Sequence, residues 1–145
     1  MVSNVLPDPS TPFGQQVATR LREDLIGWLT TVGADGTPQP NPVWFFWDGE
    51  HILVYNQPGA RRLVNIQHNP RVSFHLNSTD KGGNIIVISG EAEGTRSSAP
   101  LASDVPGYVE KYRQLAIEDD FGDMENMAKQ YSVELRIRPL KVRGF

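Results

Sequence analysis

The chain has 145 residues, 39% of them hydrophobic, and a formal net charge of −3 from 14 Lys+Arg against 17 Asp+Glu. That length builds one domain with a real core, and the excess of acid argues against generic nucleic-acid binding. There is no cysteine, which excludes disulfides, thiolate nucleophiles and thiolate metal sites.

The N-terminus has no basic stretch followed by an apolar run, and no window approaches ~20 apolar residues. The expectation is a cytoplasmic protein without a membrane span, a single domain over residues 1–145 whose first eleven residues form a flexible arm. "STPFGQQVATRLRED" predicts a helix with Thr11 as N-cap and Pro12 at its first position. Phe13, Val17 and Leu21 recur on its core face. "LIGWLTTV", "TPQPNPVWFFW" and "EHILVYN" follow, separated by two Asp-Gly turns, and read as a three-strand meander. "PGARRLVNIQHN" predicts a short helix stopped by Pro70. "RVSFHL" alternates, with Val72, Phe74 and Leu76 on one face. "NIIVISGEAEG" has a continuous apolar run that suggests burial on both faces. Two helices follow, with stripes at Tyr108, Tyr112 and Leu115 and at Met124, Met127, Ala128 and Tyr131. These stripes are most simply core. A closing strand alternates Val133, Leu135 and Ile137 with Glu134, Arg136 and Arg138. The fold class is α+β: an antiparallel barrel of six strands with flanking helices.

Pro38, Pro40 and Pro42 stand in the second strand, and proline cannot donate to a ladder. A two-residue turn at Asp35-Gly36 would pair Gly33 with Pro38, Thr31 with Pro40 and Leu29 with Pro42. Thr37, Gln39, Asn41 and Val43 are then the hydrogen-bonded positions, and every proline falls between them. The first strand loses nothing; the missing donors lie on the opposite edge. A turn at Asp48-Gly49 would aim Val43 at the third strand as well, which one residue cannot satisfy. A bulge or break is therefore expected between about Pro42 and Phe45. Two readings of the donor-free edge stay open. It blunts the sheet against aggregation, or it faces something other than a strand, such as a flat ligand.

Arg61 and Arg62 fall in the first turn of the predicted helix, where the helix dipole disfavours cations. Between His51 and Thr79 there is no acidic residue. Either both side chains point into water, or the helix start and the two guanidinium groups converge on a phosphate, with Asn65 one turn on as support. The three histidines show no metal-ligand spacing. The dinucleotide-binding and P-loop glycine patterns are absent, as is the G-x-S-x-G of serine hydrolases.

Taken in order, "TVGADGTPQPNPVWF", "ARRLVNIQHNPRV" and "ISGEAEG" resemble the pyridoxamine 5′-phosphate oxidase-like split β-barrel superfamily, in particular its flavin/deazaflavin oxidoreductases often described as coenzyme F420-dependent. The resemblance is strongest over residues 25–76. It implies an FMN-binding-type split barrel and a homodimer with two cofactor sites at the subunit interface. It places the cofactor phosphate at Arg62, with Arg61 adjoining. The ring lies along Gln39, Asn41, Pro42, Val43 and Trp44, and Tyr55, Asn56 and Gln57 lead into the phosphate loop. Lys81 and Asn84 of the partner subunit would complete the groove. The implied cofactor is coenzyme F420, with FMN as the alternative, and the implied activity is hydride transfer to a small conjugated substrate. No catalytic acid or metal ligand is assigned, and no nucleic-acid or membrane partner is expected. A cofactor carrier without turnover and a purely structural dimer remain competing readings.

Overall fold

The computed structural model describes residues 5–97 and 100–145. Seven antiparallel strands form one sheet: β1 (Gly27–Val32), β2 (Pro38–Val43), β3 (Phe46–Trp47), β4 (Ile52–Asn56), β5 (Arg71–Leu76), β6 (Ile86–Arg96) and β7 (Val133–Gly144). Their spatial order is β2-β1-β5-β6-β7-β4-β3. Helices α1 (Pro12–Glu23), α2 (Arg61–His68), α3 (Pro106–Glu118) and α4 (Met124–Gln130) complete the described elements, with a short 3-10 turn at Ala102–Asp104.

The order of strands dictates the shape. β2 and β3 are the two ends of the sheet, yet only Trp44 and Phe45 separate them in the chain. Three Cα–Cα steps span no more than ~11 Å. The sheet must therefore curl until its two edges nearly meet, which makes a barrel split between β2 and β3. The expected break between Pro42 and Phe45 is this split. It divides the single strand expected over "TPQPNPVWFFW" in two, so the sheet has seven strands where six were expected.

The first hairpin differs from expectation by one residue. Trp28 faces Pro42, Thr30 faces Pro40 and Val32 faces Pro38. The loop has three residues, with the Gly33 N–H donating to Thr37 O (2.9 Å) and Gly36 in the left-handed region at φ 86°. A three-residue loop ending on a left-handed glycine uses Asp-Gly as readily as a two-residue turn does. Gly33 and Thr37 now form a bonded pair, so Gln39, Asn41 and Val43 remain the bonded positions and the prolines still fall between them. Among the described residues, the opposite edge of β2 pairs with no strand.

β5 alternates as expected, with Val72, Phe74 and Leu76 buried. β6 is not buried on both faces. Ile86, Ile88, Gly90 and Ala92 point inward while Ser89 and Glu93 are exposed. Its apolar run reflects one inner face plus half-covered Val87. Gly90 sits where β6 shifts register against β7, and a Cβ there would lie 2.8 Å from Ile137 Cγ2. The shift helps the sheet curl.

Two apolar clusters result. One fills the barrel, with Phe45, Phe74, Ile88, Leu135 and Ile137 at 0% exposure, and takes Val17 and Leu21 from α1. The other lies outside, where Leu53 and Tyr55 of β4 meet Tyr108, Tyr112 and Ala116 of α3 and Met124, Met127 and Ala128 of α4. This is why β4 is buried on both faces. Thr11 caps α1 as expected, accepting from the Gly14 N–H (3.0 Å). The expected arm, residues 1–11, falls partly outside the described residues. Within the described part, Leu6 packs against the barrel core and Asp8 O accepts from the Thr11 N–H (3.0 Å).

Candidate functional site

The link that splits the barrel is held from outside by α3. Phe45 donates its N–H to the Tyr112 hydroxyl (2.8 Å), which in turn donates to Leu25 O (2.7 Å), with Phe45 O also within reach (3.0 Å). Lys111 Nζ donates to Phe45 O (2.9 Å) and lies 3.6 Å from the centre of the Phe45 ring. Trp44, on the other side of the link, stacks flat on Tyr112 at 4.8 Å and meets Phe121 edge-on at 5.8 Å. Phe45 thus turns into the barrel while Trp44 turns out.

Trp44 borders a cavity of about 480 Å³ at the split. Asn41, Pro42 and Val43 form one wall. Tyr55 of β4 and Arg62 of α2 form the floor, and Tyr108, Phe121, Met127 and Tyr131 close it from α3, α4 and their connection. Asn126 holds that connection, its Nδ2 donating to Phe121 O (2.8 Å), while Asp123 caps α4 by accepting from the Asn126 N–H (2.7 Å).

Asp119 is the carboxylate lining this cavity, and Arg62 is the lining cation. Its Nε donates to Oδ1 of Asn56, which is fully buried. Asn56 is fixed in turn, its Nδ2 donating to Val54 O (2.9 Å) and Val133 O (3.0 Å). Burial lowers the Arg62 pKa, but arginine stays charged. Among the described residues no side chain caps the N-terminus of α2; the Leu63 N–H turns back to Ala60 O (3.1 Å), which leaves those of Arg61 and Arg62 for an anion. Asn65 lies behind, its Nδ2 donating to Thr31 Oγ1 and Gln39 Oε1 (3.0 Å each), which ties α2 to β1 and β2.

Among the residues expected from the sequence, the fold brings Asn41, Pro42, Val43, Trp44, Tyr55 and Arg62 to one cavity. Asn56 holds Arg62 from behind, while Asn65 and Gln39 bond each other between α2 and β2 and do not line the cavity. Arg61 and Gln57 are exposed where β4 passes into α2. Lys81 and Asn84 lie in the β5–β6 loop beside α1, where Asn84 O accepts from Arg20 (2.6 Å), and do not line this chain's cavity. Tyr108, Phe121, Met127 and Tyr131 were not expected in the site. Tyr108, Met127 and Tyr131 belong to stripes that read as core, and Phe121 falls between the predicted helices; only the position of α3 and α4 over the split puts them at a cavity.

Lys111 provides a pH-dependent test of the link. Burial pulls its pKa down from 10.5 to about 8, partly offset by the Asp24 carboxylate. The unfolded chain therefore holds this proton up to higher pH than the folded one, and stability rises with pH between about 8 and 10.5. Thermal unfolding across that range should show wild type gaining on Lys111→Met. A constant gap would show that the ammonium is not buried at the link.

The chain belongs to the pyridoxamine 5′-phosphate oxidase family, whose model matches residues 13–145. It is 32% identical over 93 residues to a 5a,11a-dehydrotetracycline/5a,11a-dehydrooxytetracycline reductase of Streptomyces rimosus. That match covers 61% of this chain and 66% of the relative, just under two thirds of its length. A solved F420 reductase aligns with a TM-score of 0.64 at 27% identity, covering 86% of this chain and 94% of that one. A FAD-binding protein from Mesorhizobium loti shares the fold, with a TM-score of 0.60 at 19% identity and 88% coverage of both chains.

Proposed function

We propose that this chain is an oxidoreductase that binds a phosphate-bearing deazaflavin, coenzyme F420, with FMN as the alternative. The observation that carries this reading is Arg62, in the first turn of an α2 that has no side-chain cap, lining an aromatic-walled cavity and fixed by Asn56. One charged group and free N–H groups suit a phosphate. The donor-free edge and the Trp44 wall suit a flat ring. Bound there, such a cofactor supplies a hydride; the chain's own residues bind it, orient it and exclude water.

Arg62 and α2 fix the phosphate end. The Pro42 carbonyl, which faces the open edge, offers an acceptor to a polar ring edge, and Pro42 has no N–H to compete. Phe121 and Tyr131 shield the ring from solvent. An electron-poor, conjugated substrate is the reductant's natural acceptor, and the reductase names among the relatives support that direction. Pro38, Pro40, Asn41 and Pro42 are exposed along the open flank. A second copy of the chain covering that flank, with its own Lys81 and Asn84 near the ring, is the homodimeric form of this reading.

Spectroscopic titration with F420 and FMN tests it, followed by reoxidation of the reduced cofactor on adding a conjugated ketone. Saturable uptake of either and turnover of the ketone are expected. Uptake without turnover would favour a carrier, and uptake of neither would end the proposal.

A further inference from the structure

Tyr55 and Tyr108 line the cavity, and Tyr112 stands beside Tyr108. The Tyr108 ring meets Tyr55 edge-on at 5.1 Å and leans on Tyr112 at 4.8 Å. Their hydroxyls differ sharply. That of Tyr112 is saturated by the β2–β3 link and Leu25. That of Tyr55 is kept protonated by burial and by the buried Glu134 carboxylate, which acts through its charge and as an acceptor just short of normal hydrogen-bond geometry. Glu134 is itself held by Arg96, whose Nη2 donates to Oε1 (2.7 Å). Tyr108 is different again. The residue is at 0% exposure, it lines the cavity, and its hydroxyl has no hydrogen-bond partner among the described residues.

The position is built in. Gly107 lets the start of α3 press against β3, where a Cβ would lie 2.3 Å from the Phe46 ring. That close approach drives Tyr108 under the outer face of the sheet. Phenylalanine would supply the same ring without an unpaired hydroxyl, whose burial is unfavourable. An apolar stripe needs no phenol here, and Tyr112 already holds the link.

We propose that the Tyr108 hydroxyl, enclosed in the ligand-free chain, is a ligand-binding donor that is uncovered when a flat conjugated ring enters the cavity and presents a carbonyl oxygen to it. The assignment rests on the oxidoreductase reading above, and the acceptor belongs either to the cofactor ring or to the substrate. Both present the same chemistry: a planar conjugated system bearing an exocyclic oxygen. Tyr55, packed edge-on, keeps the Tyr108 ring from swinging away.

The experiment is Tyr108→Phe, titrated with F420 and with FMN, then with tetracycline on the cofactor-loaded protein, alongside thermal unfolding of the ligand-free protein. The variant should melt at or above the wild-type temperature, because no protein hydrogen bond is lost. Binding of at least one ligand should weaken about three- to tenfold, the worth of one neutral hydrogen bond. Weakened cofactor uptake assigns the donor to the cofactor ring; weakened tetracycline uptake alone assigns it to the substrate. A clear drop in melting temperature would show that the hydroxyl serves the fold, and would overturn the inference. Equal affinities for every ligand that wild type binds would overturn it too, while leaving the oxidoreductase reading intact. If wild type takes up none of the three, both fall together.

Discussion

Arg62→Ala is expected to weaken binding of a phosphate-bearing cofactor by about 1.5–3 kcal/mol, roughly ten- to a hundredfold. The loss has a specific source. Arg62 is the cation on the cavity floor, and its guanidinium is aimed by a buried asparagine rather than by solvent. Removing it also leaves Asn56 Oδ1 enclosed without this donor, so ligand-free stability should fall by about 1–3 kcal/mol. Lysine should restore only part of the binding, because an ammonium carries the charge but lacks the fork that reaches Asn56 and a phosphate together. Arg61→Ala should do much less, since Arg61 is exposed and forms no hydrogen bond or ion pair among the described residues. Isothermal titration of the three variants separates these cases. Equal losses at positions 61 and 62 would mean that aim counts for nothing.

Phe45→Ala should be the most destabilising single change at the site, by about 3–5 kcal/mol in urea unfolding. Phe45 is at 0% exposure, meets Phe74 edge-on at 4.9 Å and carries the Lys111 ammonium on its face. Its loss opens a hole at the point where the barrel is split, with no strand pairing between β2 and β3 to resist it. The truncation should also loosen Trp44, because both residues share the link that Tyr112 and Lys111 grip. Protection of link amides from hydrogen exchange should therefore fall with stability. A loss below about 1 kcal/mol would mean that α3 alone anchors the split.

Much of this was legible in the sequence, for reasons that differ by element. Thr11-Pro12 and Pro70 punctuate their helices through local chemistry, so their effects survive any tertiary context. The prolines of β2 were readable because non-bonded positions recur every two residues, and that parity survives the one-residue change of loop length. The loop itself was not readable: Asp35-Gly36 suits a left-handed glycine in either loop. The barrel was expected from the element order and the split from a conflict of register at Val43; that the two are one feature depends on β4 pairing with β7 across the chain. Arg62 stood out as a cation where the helix dipole disfavours one. Tyr108 and Tyr131 carried no such conflict, because a stripe that lines a cavity has the same period as one that fills a core, and Phe121 fell between the predicted helices.

The central claim is that the start of α2 holds a phosphate and the split holds a ring. Parallel titration of wild type with FMN and riboflavin, and with F420 and its phosphate-free deazaflavin alcohol, tests it most directly. The phosphate-bearing partner of at least one pair should bind about tenfold tighter or more, and Arg62→Ala should erase most of that difference. Equal affinity within both pairs in wild type would contradict the claim.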